Sequence, residues 1–299
     1  LAVAALPSNR PPWLQRRGTT TATLTIPART GHRRILRDVF VSGGAAGTYI
    51  QIQVGNVVLQ RIYPNLTQAI LVQTLAGKVG IRGLLWYLGT LIPDFPYPNA
   101  SEDEDITITH SGSPTRMDAY FEDVTEGDVR SKTVPGGSLA TRHFIIINLS
   151  NAVALSASAA FGFASLDMPS GLTPFTGDTT IATDARRLAA GQRVTAYVLA
   201  GDFPIPGGTS RVTRVHILDE QIEMWTSENN EGLFVDPSVS NELAFDLDPL
   251  EGFILPQPWV LEPNRLYTFR GDYTDDGTNH AAANSQRLFL IGIREFLGV

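Results

Sequence analysis

Between residues 19 and 63 the chain reads TTTATLTIPARTGHRRILRDVFVSGGAAGTYIQIQVGNVVLQRIY, and apolar side chains recur at alternate positions through most of it. Residues 21–26 alternate threonine with Ala22, Leu24 and Ile26. Residues 35–41 put Ile35, Arg37, Val39 and Val41 on one face and Leu36, Asp38 and Phe40 on the other. Residues 48–54 set Ile50, Ile52 and Val54 against Gln51 and Gln53, and residues 56–63 continue the alternation through Val57, Leu59 and Arg61. Period-two patterning rich in Val, Ile and Thr predicts half-buried strands. The separators, Gly43-Gly44-Ala45-Ala46-Gly47 and Gly55-Asn56, supply turns that tolerate positive φ. An antiparallel meander is expected here, the start of a sandwich or barrel.

The same pattern returns further on. Strands are expected at 106–110, 115–122, 142–149, 193–200, 211–218, 221–226, 233–235, 243–247, 253–255, 265–270 and 286–296. RHFIIINL at 142–149 is apolar on both faces and reads as a core strand, and QRLFLIGIREF closes the chain strongly. Leu84-Leu85-Trp86-Tyr87-Leu88 reads as a buried strand or a surface patch, and residues 126–139 as an excursion with turn signals. One helix is expected: TDARRLAA at 183–190, with Thr183 as N-cap and Gly191 as stop. TSRVTRVHILDEQIEMW at 209–225 echoes TGHRRILRDVFVSG at 30–43 without establishing a repeat.

Composition narrows the function classes. The 299 residues suffice for one large or two modest domains. There is no cysteine, so disulfide and thiolate chemistry are excluded. Charged residues make up 18%, below the usual ~25%, and the net charge of −7 argues against a dedicated nucleic-acid binder. Only Lys78 and Lys132 are lysines among 23 basic residues. That bias fits a GC-rich genome or a chain made for interfaces, where the planar arginine fork is favoured. No apolar run reaches the ~20 residues of a membrane helix. The 27 glycines and 19 prolines punctuate short apolar runs, the loop-rich all-β habit.

Candidate chemistry is sparse. His32, His110, His143, His216 and His280 form no HExxH or HxH spacing, and GxSxG, GxxxxGK[ST] and GxGxxG are missing. No metal site, cofactor or catalytic residue is expected. The acidic run Ser101-Glu102-Asp103-Glu104-Asp105 reads as a solvated loop, because consecutive strand residues point to opposite faces and converge poorly on one ion. The segment from Asp272 to Ala283 lacks the bidentate carboxylate of an EF-hand at its twelfth position. A carboxylate pair among Asp202, Asp219, Glu220 and Glu223 would suit a glycosidase, which needs no linear motif.

Two stretches stand out as assembly contacts. LAVAALPSNRPPWLQRRG at 1–18 places Arg10, Arg16 and Arg17 around Trp13 and Leu14, with prolines ahead of them. It reads as an extended basic arm outside the sandwich, for a neighbouring subunit, lipid headgroups or encapsidated nucleic acid, or as a frayed terminus. PDFPYPN at 93–99 is an extended Pro/aromatic loop whose Phe95 and Tyr97 suit either packing or docking on another chain.

HRRILRDVFVSGGAAGTYIQIQVGNVVLQRIY at 32–63, QRLFLIGIREF at 286–296 and the chain length together resemble the single-jelly-roll major capsid proteins of tailless icosahedral membrane-containing phages, and are similar to the larger capsid protein of Thermus phages. The resemblance implies an all-β jelly-roll sandwich or barrel with an inserted, loop-rich β region. Residues 19–92 and 191–299 would form the roll and residues 93–190 the insertion or tower, after the arm at 1–18. It implies a non-enzymatic protein of the virion that associates with copies of itself, with a second, smaller capsid protein, and with lipids of an internal viral membrane. No specific nucleic acid or small-molecule substrate is expected. Two alternatives remain: a tail, spike or decoration protein that binds a receptor or glycan through Trp13, Trp86, Trp225 or Trp259, and a β-sandwich carbohydrate-active enzyme.

Overall fold

The computed structural model describes residues 14–42, 48–62, 85, 88, 89, 92, 95–125, 142–168, 172–176, 185–227 and 254–297. They divide into two compact units, which meet in sequence at His143 and Phe144.

Among the described residues the first unit holds eight strands: β1 (Leu14–Thr19), β2 (Thr23–Ile26), β3 (His32–Ser42), β4 (Ile50–Val54), β5 (Val57–Ile62), β6 (Asn99–Ala100), β7 (Ile106–His110) and β8 (Arg116–Thr125). They form two antiparallel sheets, in the orders β1-β8-β3-β6 and β2-β7-β4-β5. Numbered by position, that is 1-8-3-6 and 2-7-4-5, the strand order of a jelly roll. The alternation read from the sequence is obeyed in β4, but in β3 the unpaired Arg37 shifts it, so that Ile35 shares a face with Asp38 and Phe40 rather than with Val39 and Val41. Ile50, Ile52 and Val54 are buried and the glutamines between them are half-buried.

The second unit holds β9 (Arg142–Ser150), β10 (Ala159–Gly162), β11 (Ser165–Leu166), β12 (Phe175–Thr176), β13 (Ala185–Leu188), β14 (Gln192–Asp202), β15 (Arg211–Asp219), β16 (Ile222–Thr226), β17 (Ile254–Leu261), β18 (Leu266–Thr274) and β19 (Arg287–Phe296). Its sheets run β11-β9-β19-β14-β17 and β12-β13-β18-β15-β16. Without the two-residue additions β11 and β12, the order is again 1-8-3-6 and 2-7-4-5. The second strand of this roll is split, because β10 pairs with Arg270–Tyr273 and β13 with Leu266–Thr268 along one edge of β18. One core joins the two sheets. Ile145, Ile147, Val194, Leu288 and Leu290 of the first meet Val212, Val215, Ile217, Tyr267 and Phe269 of the second. β9 is buried on both faces from Phe144 onward, as its unbroken apolar run predicts.

The two rolls share irregularities as well as order. Gly31 and Gly191 turn the chain into β3 and β14 with φ of 72° and 71°. Six residues beyond each, Arg37 and Tyr197 bulge out of register against β8 and β19. The β4–β5 and β15–β16 hairpins each turn in two residues, Gly55-Asn56 and Glu220-Gln221, and each bulges on its second strand, at Leu59 and at Met224. Bulges re-aim and twist the strands that carry them. Their recurrence at matching places shows one structural unit present twice in the chain.

The all-β jelly-roll expectation stands, but its arrangement changes. The chain holds two rolls in tandem rather than one roll with an insertion at 93–190. That interval supplies β6 to β8 of the first roll and β9 to β13 of the second. The closing strand lies between β9 and β14 and not in a sheet with residues 20–75. The expected helix at 183–190 is a strand where it is described: Ala185–Leu188 pairs with β12 and β18, and sheet hydrogen bonds override its helix propensity. Leu85, Leu88 and Gly89 are helical, with both leucines buried, where a strand or surface patch was expected. Residues 14–18 belong to β1, so this part of the arm is inside the first roll's sheet. The expected excursion at 126–139 and the strands at 233–235 and 243–247 lie outside the described residues.

The bulge at Tyr197 depends on Gly292 opposite it. A Cβ there would stand 2.0 Å from the Thr195 carbonyl oxygen and 2.8 Å from the Ala196 Cα, both backbone atoms. Gly292→Ala is expected to destabilise the second roll by about 3 kcal/mol or more, the upper range for overpacking a core, read as a fall in the urea midpoint. An unchanged midpoint would show that the bulge relaxes at no cost.

Candidate assembly surface

In the first roll, alternation along β1, β8 and β3 brings three cross-strand rows to one face. They are Leu14–Glu122–Ile35, Arg16–Tyr120–Asp38 and Gly18–Asp118–Phe40. Asp118 is the anchor of this face. Its Oδ1 accepts from Arg16 Nε at 3.0 Å and its Oδ2 from Arg116 Nε at 2.7 Å. Gly18 leaves the necessary room, since a Cβ there would lie 2.3 Å from Asp118 Oδ1. Burial alone would raise the Asp118 pKa, but the hydrogen bonds from Arg116 and Arg16 outweigh it and hold the carboxyl below its ordinary value.

The bulged Arg37 connects this face to the Pro/aromatic loop. Its Nη2 is 2.9 Å from Glu122 Oε2, and its guanidinium lies 4.4 Å from the centroid of the Tyr97 ring. Phe95 meets Tyr97 edge to face at 4.8 Å. Burial pushes the Tyr97 hydroxyl pKa up, as it does that of Tyr120.

The structure therefore joins two stretches that the sequence offered separately. Leu14 and Arg16 from one, and Phe95 and Tyr97 from the other, are linked through Tyr120, Glu122 and Arg37. Phe95 is buried and Tyr97 half-buried, while Leu14 and Arg16 are exposed. Arg17 pairs in register with Ala119 and so points away from Arg16, and it too is exposed. Arg10 and Trp13 lie outside the described residues. Sequence reading missed Arg37, Asp118, Tyr120 and Glu122. The available signal was the run of charged residues in RMDAYFEDVT, a costly content for a strand unless each charge has a partner.

Opposite this face, Asp123 is faced by Arg29, which donates to its Oδ2, by His32 Nδ1 at 3.0 Å and by Arg34 Nη2 at 3.8 Å. The acidic run fastens the turns of the same roll. Asp105 Oδ1 accepts the Ala28 N–H at 2.5 Å, Glu102 Oε2 accepts that of Gly31 at 2.5 Å, and Glu104 Oε2 accepts that of Ser101 at 3.0 Å. The run is a surface turn, with Asp103 and Asp105 exposed, whose carboxylates also serve as backbone acceptors. Among the described residues, no group of three His, Cys, Asp or Glu is placed to hold a metal.

Three of the four carboxylates considered for glycoside chemistry, Asp219, Glu220 and Glu223, have neighbours of their own. Asp219 pairs with Arg265 at 2.8 Å, Glu220 accepts the Leu266 N–H at 2.9 Å and Glu223 lies 2.9 Å from His216. Trp225 and Trp259, with ring centroids 6.1 Å apart, pack against the core of the second roll. Trp13 and Trp86 lie outside the described residues.

No protein-family model matches the chain, and no curated protein is similar to it in sequence. Among solved structures it is similar to the major capsid protein P2 of bacteriophage PM2, with a TM-score of 0.41 and 9% identity, covering 95% of this chain and 98% of that one. It is similar to the PBCV-1 virus capsid, with a TM-score of 0.33 and 10% identity over 95% of each chain. It is also similar to a peptide-N(4)-(N-acetyl-beta-D-glucosaminyl) asparagine amidase, with a TM-score of 0.33 and 12% identity, covering 93% and 90%. Likenesses this distant carry no functional argument, and the jelly-roll assignment rests on strand order alone.

Asp118→Asn is expected to cost about 1–3 kcal/mol at pH 7, because it weakens the charge-assisted hydrogen bonds from Arg16 and Arg116. The Asp118 pKa is lowered below 3.8 in the folded chain. Its contribution is therefore full above the unfolded pKa and disappears as pH falls through the folded one. Urea titrations of both proteins should show a gap at pH 7 that closes below about pH 3.8, the ordinary aspartate value. A gap that widens on acidification would contradict the assignment.

Proposed function

We propose that this chain is a structural virion protein, a major capsid protein whose copies associate into a shell. One observation carries the reading: a jelly roll repeated in tandem, its strand order and bulges matched, with an exposed, arginine-bearing edge strand on the first roll. A roll buries its apolar faces within itself and leaves its edges and corners for contact with other copies. The finer description rests on the family resemblance of the sequence. Under it the shell is icosahedral, the source is a phage, a second and smaller capsid protein takes part, and an internal membrane lies beneath. Leu14, Arg16 and Arg17 are the assembly contacts of this reading, with Arg10 and Trp13 ahead of them. Phe95 and Tyr97 act from within by supporting the sheet face.

Electron microscopy of the source particle tests the reading. Many copies in a closed lattice support it, whereas a few copies at a spike or tail favour the receptor-binding alternative.

Deleting residues 1–17 distinguishes a docked strand from a frayed terminus. The deletion takes four of the six residues of β1 and uncovers the edge of β8. The melting temperature is expected to fall by roughly 4 °C or more, the shift for about 1 kcal/mol in a domain of ~100 residues, and assembly should fall with it. An unchanged melting temperature would show that β1 contributes nothing to the first roll.

A further inference from the structure

We propose that the basic edge strand β1 of one copy docks on the acidic edge strand β16 of another. The inference rests on the self-association reading and specifies the surfaces that meet.

Charge divides unevenly between the rolls. Residues 1–143 hold 14 of the 23 Lys and Arg and 11 of the 30 Asp and Glu, a net of +3, whereas residues 144–299 hold 9 and 19, a net of −10. Unlike halves of neighbouring copies attract, and like halves repel.

Edges narrow the choice. An edge strand presents unpaired backbone groups that can add another strand unless they are blunted. Among the described edge strands, β6, β11 and β12 have two residues each, and β2 and β10 have four each. β5 has no exposed residue. β17 carries Pro256 and Pro258, which offer no N–H. The two left are β1, exposed from Leu14 to Gly18, and β16, exposed at Ile222 and Glu223.

These two match in kind. Leu14 is 41% exposed and shares its strand with Arg16 and Arg17. Arg29 and Arg116, about half exposed, lie in the turn before β3 and on the neighbouring β8. Ile222 is 72% exposed and stands beside the exposed Glu220 and Glu223. Each edge thus offers one apolar anchor ringed by charge, with opposite signs. β1 against β1 would oppose arginines, and β16 against β16 would oppose glutamates. The favoured contact is heterologous, so each copy uses both edges. A second copy of this chain carries the complementary edge for each, which commits the contact to self-association.

A charge swap on the full chain tests this by sedimentation at several salt concentrations. Arg17→Glu and Glu223→Arg should each weaken self-association about tenfold, by turning attraction into repulsion, and the double variant should recover most of it. Wild-type association should weaken as salt rises. Glu223 also neighbours His216. If Glu223→Arg lowers the melting temperature, Ile222→Arg at the exposed tip replaces it. The proposal is overturned if the single variants associate like wild type, or if the double is as weak as either. It is also overturned if Arg17→Glu abolishes only binding to phosphatidylglycerol vesicles, which would assign β1 to headgroups. A wild-type chain that stays monomeric at every concentration sinks the capsid reading along with this one. Shells that form unaffected by the swap sink only the edge contact.

Discussion

Everything in this chain depends on the pairing of the third strand of each roll with its last strand, β3 with β8 and β14 with β19. The last strand must return across the whole roll and slot between the first and third. Only then is the first sheet of each roll continuous and the apolar alternation turned to one core. A one-residue slip would turn Met117, Ala119 and Phe121 outward in the first roll, and Leu288 and Leu290 in the second. The bulge lies within this pairing in both rolls, at Arg37 and Tyr197. It makes the register specific, because the unpaired residue fits at only one place. In the second roll Gly292 sits opposite that place, with no side chain to strike the bulged backbone. In the first roll the same bulge frees Arg37 to reach Glu122 and Tyr97. One backbone device serves packing in one roll and an outer-face network in the other.

Much of the fold was legible because alternation is local. β3, β4 and β5 can be read from period two, and β9 and β19 from their unbroken apolar runs. Topology was not legible, because period two carries no information about which strand pairs with which. The echo between residues 30–43 and 209–225 shows this. It compares β3 with the β15–β16 hairpin, strands that hold different places in their rolls. The true equivalence places Gly31-His32-Arg33 on Gly191-Gln192-Arg193, three residues whose likeness is slight. Gly191 was read as the stop of a helix, but it lies in the turn between β13 and β14. A positive φ of 71° suits both, so glycine alone could not decide between them. The split second strand of the second roll, β10 and β13 with β11 and β12 between them, further disguised the repeat as an insertion.

The acidic run was opaque for a different reason. Its carboxylates take N–H groups of Ala28 and Gly31, more than seventy residues earlier in the chain. An acceptor whose donor comes from a distant turn is indistinguishable in sequence from a solvated one. The second roll solves the same problem with other residues. Glu220 takes the Leu266 N–H, and the Glu262 N–H donates to the Tyr267 hydroxyl at 2.7 Å. The buried Tyr267 hydroxyl has its pKa pushed up to about 12 by burial, so it stays protonated and keeps this place in the turn. Turns between sheets are where backbone groups lose their ladder partners, and both rolls supply side chains there.

The arginine bias now has a partial physical account. Arg16, Arg37 and Arg116 each reach a carboxylate that is largely removed from water, Asp118 or Glu122, while their own heads stay partly solvated. A planar fork can do this and still stack on Tyr97 or Tyr120, as Arg37 and Arg16 do. Lysine would satisfy the charge without the stacking. The consequence for assembly is that these arginines are already committed within their own sheet. Long-range attraction between copies then depends on the net charge they leave uncancelled, and short-range contact on the side chains they leave exposed, Leu14 and Arg17. Intramolecular pairing of this kind stiffens an edge before it meets a partner. A stiffened edge loses less conformational entropy on docking, and that favours association without adding a single new contact.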